Sequence, residues 1–225
     1  MLLSKKKRYL QIALNSSLNE AYQIIQSLPV SDRILLEAGT PLIKEFGMDA
    51  IRKIYVWWAM QIKQVNITPY VVADLKTMDR GETEVGMAAG AGASAAICLG
   101  QAPVETINSF IESCEKNKVD SMLDMMNIEY PINVLRKLKK QPDVVLLHRG
   151  VDEEVFNKNK PIPYIQINKI LSSYNVIISI AGGDTIREVQ RAIFNGAQIV
   201  VVWKEFYHST RLTGKLAQDF LMEIK

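Results

Sequence analysis

Residues 176–202 read VIISIAGGDTIREVQRAIFNGAQIVVV. Two short apolar runs, 176–181 and 199–202, bracket a segment with a different period. Within 185–195, Ile186, Val189, Ala192 and Ile193 recur at helical steps and form one apolar face. Thr185 or Asp184 can cap the start of that helix, and Asn195-Gly196 stops it. The flanking runs are almost continuously apolar, as strands buried on both faces of a parallel sheet must be. The unit is therefore strand–helix–strand.

Moving outward, the same unit recurs. Further strand-like runs lie at 9–14 (YLQIAL), 34–38 (ILLEA), 71–75 (VVADL), 95–99 (AAICL), 119–124 (VDSMLD) and 144–148 (VVLLH). Helical spacing fills the gaps. From Glu105 to Lys116, Ile107, Phe110, Ile111 and Cys114 share a face. Pro131 suits a first helical turn before Ile132, Leu135 and Leu138, and 212–224 supplies a last helix. Alternating β and α units imply an α/β fold with a parallel sheet. Eight of them in 225 residues match a (β/α)8 TIM barrel, with an open doubly wound sheet as the alternative. The expectation is one barrel domain over 1–225, with residues 1–8 an exposed basic tail.

Composition removes several classes. Apolar residues are 48% and charged residues 23%, the mix of a folded globular chain. No window approaches the roughly 18 uncharged apolar residues of a membrane span. The net charge is +3, and the only dense basic run is Lys5-Lys6-Lys7-Arg8, so neither nucleic acid nor membrane is expected as a partner. That run lacks the apolar region of a signal peptide behind it. Cys98 and Cys114 form no CxxC pair and fit ordinary thiols in a reducing cytoplasm.

In such barrels the reactive groups stand at the C-terminal ends of the strands. There the sequence places Asn15, Glu37 with Thr40, Asp74-Leu75-Lys76-Thr77-Met78-Asp79, Asp124, His148 and Gly182-Gly183. Asp74 and Lys76, two apart on a strand, can both point inward. A lysine between carboxylates stays charged, and could stabilise an enolate or deliver a proton. Glu37, an acid in an apolar strand, needs a partner. That could be Mg²⁺ shared with Asp74, or Lys76 with no metal. His148 ends a barrel strand, where a general acid–base role is natural. Asp124 suits either a polar network or a helix cap. Gly182 and Gly183 could let an anion approach the following helix. Gly90-Ala91-Gly92-Ala93 precedes a strand, the wrong order for a dinucleotide loop, and His208 reads as a surface residue.

The sequence resembles the orotidine monophosphate decarboxylase superfamily, whose hallmark is Asp-x-Lys-x-x-Asp after strand 3, here Asp74 to Asp79. Within it the resemblance is to the 3-hexulose-6-phosphate synthases, through 10–14, 37–44, 72–79, 147–152 and 180–183. It matches the synthase part of archaeal fusions with a formaldehyde-activating enzyme, leaving little chain for another domain. The resemblance implies addition of formaldehyde to D-ribulose 5-phosphate, or its release from the hexulose phosphate. It implies Mg²⁺ on Glu37 and Asp74, binding enediolate oxygens that Lys76 also stabilises, and a proton moved by His148. It implies phosphate on Gly182 and Gly183, and a homodimer in which Asp79 enters the neighbouring site. Asn15, Thr40, Asp124 and Lys204 complete the expected substrate contacts.

Two positions depart from the family pattern. Asn15 replaces the usual Asp at the end of strand 1, keeping shape but not charge. Trp203-Lys204 replaces Gly-Arg after strand 8, so a lysine offers a point charge where the family has a bidentate fork, and a large ring stands beside it. These departures leave two alternatives open. One is a related sugar-phosphate lyase or decarboxylase with an altered substrate. The other is a non-catalytic barrel acting as a binding or partner subunit.

Overall fold

In the computed structural model, residues 1–157, 161–183, 185–208 and 212–225 are described. Asp184, a candidate cap, and the side chain of His208 lie outside that description. Eight parallel strands close into a barrel in chain order. They are β1 (Tyr9–Leu14), β2 (Ile34–Ala38), β3 (Val71–Thr77), β4 (Ala95–Leu99), β5 (Asp120–Asp124), β6 (Val144–His148), β7 (Ile177–Ala181) and β8 (Ile199–Val202). Pairing of β1 with β8, Tyr9 to Ile199 through Ile12 to Val202, closes the ring. The chain is thus a (β/α)8 TIM barrel, and the open sheet is excluded.

Each strand sends alternate residues to two cores, which explains the near-continuous apolar runs. Ile12, Leu36, Ala73, Val145, Ile178 and Val200 face the helices and join the larger core. Tyr9, Leu35, Val72, Ile97, Met122, Leu146, Ile177 and Val201 fill the barrel. The helix Ile186–Phe194 starts where expected, with Thr185 capping the backbone N–H of Glu188.

Two features differ from the sequence reading. Residues 1–8 are mostly exposed, but the segment is anchored at Leu2 and Leu3. Leu3 is buried with the barrel-filling cluster, and the backbone N–H groups of Leu2 and Leu3 donate to Asp120 at 2.6 and 3.2 Å. Lys6, Lys7 and Arg8 do remain exposed. A buried leucine gains more by covering the apolar floor of the barrel than by facing water. The other difference is in β3, whose register against β4 shifts between Ala73 and Thr77. Lys76 there takes a left-handed φ of 51°. Such a conformation costs a non-glycine residue of order 1–3 kcal/mol and is found mainly where function requires it. The bulge, together with strand alternation, aims Lys76.

Candidate active site

The C-terminal ends of the strands surround a cavity of about 460 Å³, a size suited to a small metabolite. Its walls include Asn15, Glu37, Thr40, Asp74, Lys76 and His148. Below them runs a continuous chain of charge. Lys76 Nζ lies 2.7 Å from Asp74 Oδ1 and 3.0 Å from Asp124 Oδ2. His148 Nδ1 lies 2.8 Å from the same Asp124 oxygen. Thr40 Oγ1 is 2.8 Å from Asp74 Oδ2, and Gln11 Nε2 donates to Glu37.

Burial and charge set opposite tendencies in these groups. Burial penalises the Lys76 ammonium, but Asp74 and Asp124 outweigh it and push its pKa up. Burial likewise works against the Asp124 carboxylate, yet His148 and Lys76 hold it down at about 2. Burial disfavours the His148 cation, and Asp124 more than compensates, so its pKa rises. Glu37 is pushed up to about 7, first by burial and then by the negative charge of Asp74. Two inward carboxylates that repel one another form a site a cation relieves. Their hard oxygens suit Mg²⁺, which takes one or two carboxylates and completes its shell with water and substrate oxygens. Among the described residues no cluster of three or more acidic, His or Cys side chains is available for a metal, so the fit is to such a two-carboxylate ion.

Of the expected substrate contacts, Asp124, Gly183 and Lys204 stand outside the cavity wall. Asp124 is fully buried and lines no part of the cavity; it can act on substrate only through Lys76 and His148. Asp79 is exposed and outside the cavity of its own chain. Gly182 lines the cavity with a φ of 94°, and a Cβ there would lie 2.4 Å from the Arg149 carbonyl. Gly183 is buried and does not line the cavity. Lys204 is likewise not in the wall; its Nζ turns to Glu154 and sits 5.5 Å from the Trp203 ring centroid. Trp203 lines the cavity without filling it.

Three participants went unrecognised in the sequence. Gln11 occupies an inward position of β1, and a polar residue within an apolar strand was the available signal. Arg149 and Glu154 line the cavity from the loop and short helix Val151–Phe156 after β6. Their position just beyond His148 was the only hint.

Fold and site together define a barrel enzyme built around an Asp-x-Lys-x-x-Asp mouth. Residues 8–210 match the Orotidine 5'-phosphate decarboxylase / HUMPS family, and the chain belongs to this enzyme family. It is similar to the bifunctional enzyme Fae/Hps of Methanocella arvoryzae, 35% identical over 219 residues covering 96% of this chain and 53% of that protein. Against the bifunctional enzyme Fae/Hps of Methanocaldococcus jannaschii it is 40% identical over 195 residues, 86% of this chain and 46% of that one. The chain thus spans about half the length of these curated relatives. The structure of 3-hexulose-6-phosphate synthase from Salmonella typhimurium superposes with a TM-score of 0.80 at 25% identity, covering 96% of this chain and 99% of that one. Among the described residues no helix is long and apolar enough to cross a membrane.

Proposed function

We propose that this barrel is a carbon–carbon lyase of the 3-hexulose-6-phosphate synthase type. It would join formaldehyde to D-ribulose 5-phosphate, or release formaldehyde from D-arabino-3-hexulose 6-phosphate. The observation that carries this reading is the buried line Asp74–Lys76–Asp124–His148 opening on the cavity beside Glu37. The names of the similar proteins support it.

When the carbon–carbon bond breaks, the hydroxymethyl O–H gives up its proton to a base and its oxygen becomes the carbonyl of formaldehyde, while the bond's electron pair moves onto the sugar and negative charge develops on the sugar oxygens. Lys76, fixed by Asp74 and Asp124, supplies positive charge to that position without reorganising. His148, held by Asp124, can take that hydroxyl proton and return it to the sugar carbon, or move it the other way in the synthetic direction. Glu37 and Asp74 would hold Mg²⁺, which when bound supplies further positive charge beside those oxygens. Asn15 and Thr40 border the same space and would orient the hydroxyls. Gly182 gives the distal end of the substrate access to backbone.

Asp79, exposed after β3, supports a homodimer in which it reaches the neighbouring subunit's cavity. Two buried free thiols, Cys98 and Cys114, suit a cytoplasmic setting.

The test is formaldehyde release from hexulose 6-phosphate by the full chain with Mg²⁺, lost with chelator and in Lys76→Ala. Absence of turnover by folded, Mg²⁺-loaded protein would overturn the reading. Trp203 in the cavity wall favours a second reading, a related lyase or decarboxylase with a different sugar. Turnover of a keto-acid or unphosphorylated sugar, but not the hexulose phosphate, would support it. Activity appearing only after Asn15→Asp with Trp203→Gly and Lys204→Arg would instead mark a non-catalytic barrel.

A further inference from the structure

At the β6–β8 side of the mouth, the groups that should receive a phosphate are already engaged. Lys204 Nζ contacts Glu154 Oε2 at 2.5 Å. Arg149 Nη2 lies 3.9 Å from Glu154 Oε1 and 3.7 Å from Glu188 Oε1, and donates to the Gly182 carbonyl at 2.6 Å. Glu154 lines the cavity together with Gly182, Arg149 and Trp203. The start of the helix Ile186–Phe194 is occupied too, because the Thr185 hydroxyl and the Glu188 carboxylate cap one another's backbone N–H groups.

We infer that Glu154 is a specificity-determining residue, an internal anion seated on the cations a phosphate would use, which a phosphorylated substrate must displace. A carboxylate and a phosphate seek the same Lys and Arg donors. Among the described residues, Lys204 faces Glu154, and Arg149 lies near both Glu154 and Glu188, so the positive charge here is already engaged. A phosphate carrying about two negative charges would meet the Glu154 carboxylate on those same cations unless Glu154 withdraws. The side chains of Lys204, Glu154 and Arg149 are only 27, 26 and 12% exposed, so salt screens this balance less than at an open surface. Trp203, with the ammonium over its ring, restricts where Lys204 can go. The neighbouring Glu153 is engaged otherwise, accepting the Gly150 N–H at 3.1 Å. The inference deepens the sugar-phosphate reading and rests on it for the substrate to which the anion belongs.

Binding of inorganic phosphate to the full chain, measured by calorimetry, tests it without any turnover. Glu154→Gln is expected to bind phosphate roughly tenfold more tightly than the parent chain, since one repelling charge is removed. Glu154→Asp should stay near the parent value, and Lys204→Met in the Gln background should reverse the gain. Should the Gln variant lose its circular-dichroism signal, Glu154→Ser serves in its place. Unchanged or weaker phosphate binding in the folded neutral variant overturns the inference, because it reduces Glu154 to an ordinary rim ion pair. Tighter phosphate binding with no formaldehyde release by any variant supports this inference and rejects the lyase. Formaldehyde release with unaltered phosphate binding does the reverse.

Discussion

Strand β5 carries two buried aspartates at opposite ends of the barrel, and their surroundings differ in kind. Asp120, at the floor, is hydrogen-bonded by neutral donors, the N–H groups of Leu2 and Leu3 and the Tyr70 hydroxyl at 2.8 Å, and the only charge paired with it among the described residues is the N-terminal ammonium, 3.7 Å away. Asp124, at the mouth, is met by Lys76 and His148. Neither side chain is appreciably exposed. Burial wins at Asp120 and raises its pKa despite the hydrogen bonds. At Asp124 the cations win. One strand thus contains a carboxylate that fastens the floor and a carboxylate that holds Lys76 and His148 together at the mouth. The division agrees with the general asymmetry of such barrels, where stability concentrates at one end and reactivity at the other.

The sharpest way to break the comparison is to remove the cation at the mouth. Lys76→Ala is expected to lower kcat for formaldehyde release by about 10²–10³ or more, as loss of a charge-stabilising group does. Next in size, Asp124→Asn should cost roughly 10- to 100-fold in kcat, because Lys76 and His148 lose their common anchor. Its His148 pKa, followed by NMR, should fall toward the ordinary value. Asp120→Asn should behave in the opposite manner, costing about 1–3 kcal/mol in denaturant unfolding while kcat stays within about twofold.

Acid titration separates the two residues again. A carboxylate with a depressed pKa contributes stability above its unfolded value near 4, lost as the pH falls through about 2. That step in thermal stability should vanish in Asp124→Asn and persist in Asp120→Asn. Glu37 gives a titration of the opposite sign. With its pKa raised to about 7, metal-free protein should lose stability as pH rises from about 4.5 through 7. Glu37→Gln should flatten that slope and raise the Tm at pH 8 by a few degrees.

The barrel was legible because each strand is a short apolar run and each helix a 3.6-period segment. The span 176–202 needed no tertiary information. The Asp74–Lys76 pair was legible for the same reason, since the ends of those runs are where polar residues gather. Other parts of the site were hidden. The left-handed backbone of Lys76 is paid for by the ion pairs around it, and no local signal announces it. Asp124 reads as a possible substrate contact until the ring closes around it and excludes it from the cavity. Arg149 and Glu154 acquire meaning only when the segments after β6, β7 and β8 meet. The floor-covering role of Leu3 likewise depends on a ring of eight strands that its local sequence does not describe.

At Gly39 the absent side chain has a consequence for how this site can be altered. A Cβ at that position would lie 1.8 Å from Asn15 Oδ1. The amide of Asn15 therefore occupies space that residue 39 leaves to it, and the two strand ends form a single interlocking unit. Residue 39 cannot be enlarged while Asn15 keeps its place. A library that fixes Asn15 must keep glycine at 39, and one that enlarges residue 39 also redraws the mouth beside Lys76. Selection that enlarges residue 39 would need a second change at Asn15, whereas position 15 stays open to change beside glycine.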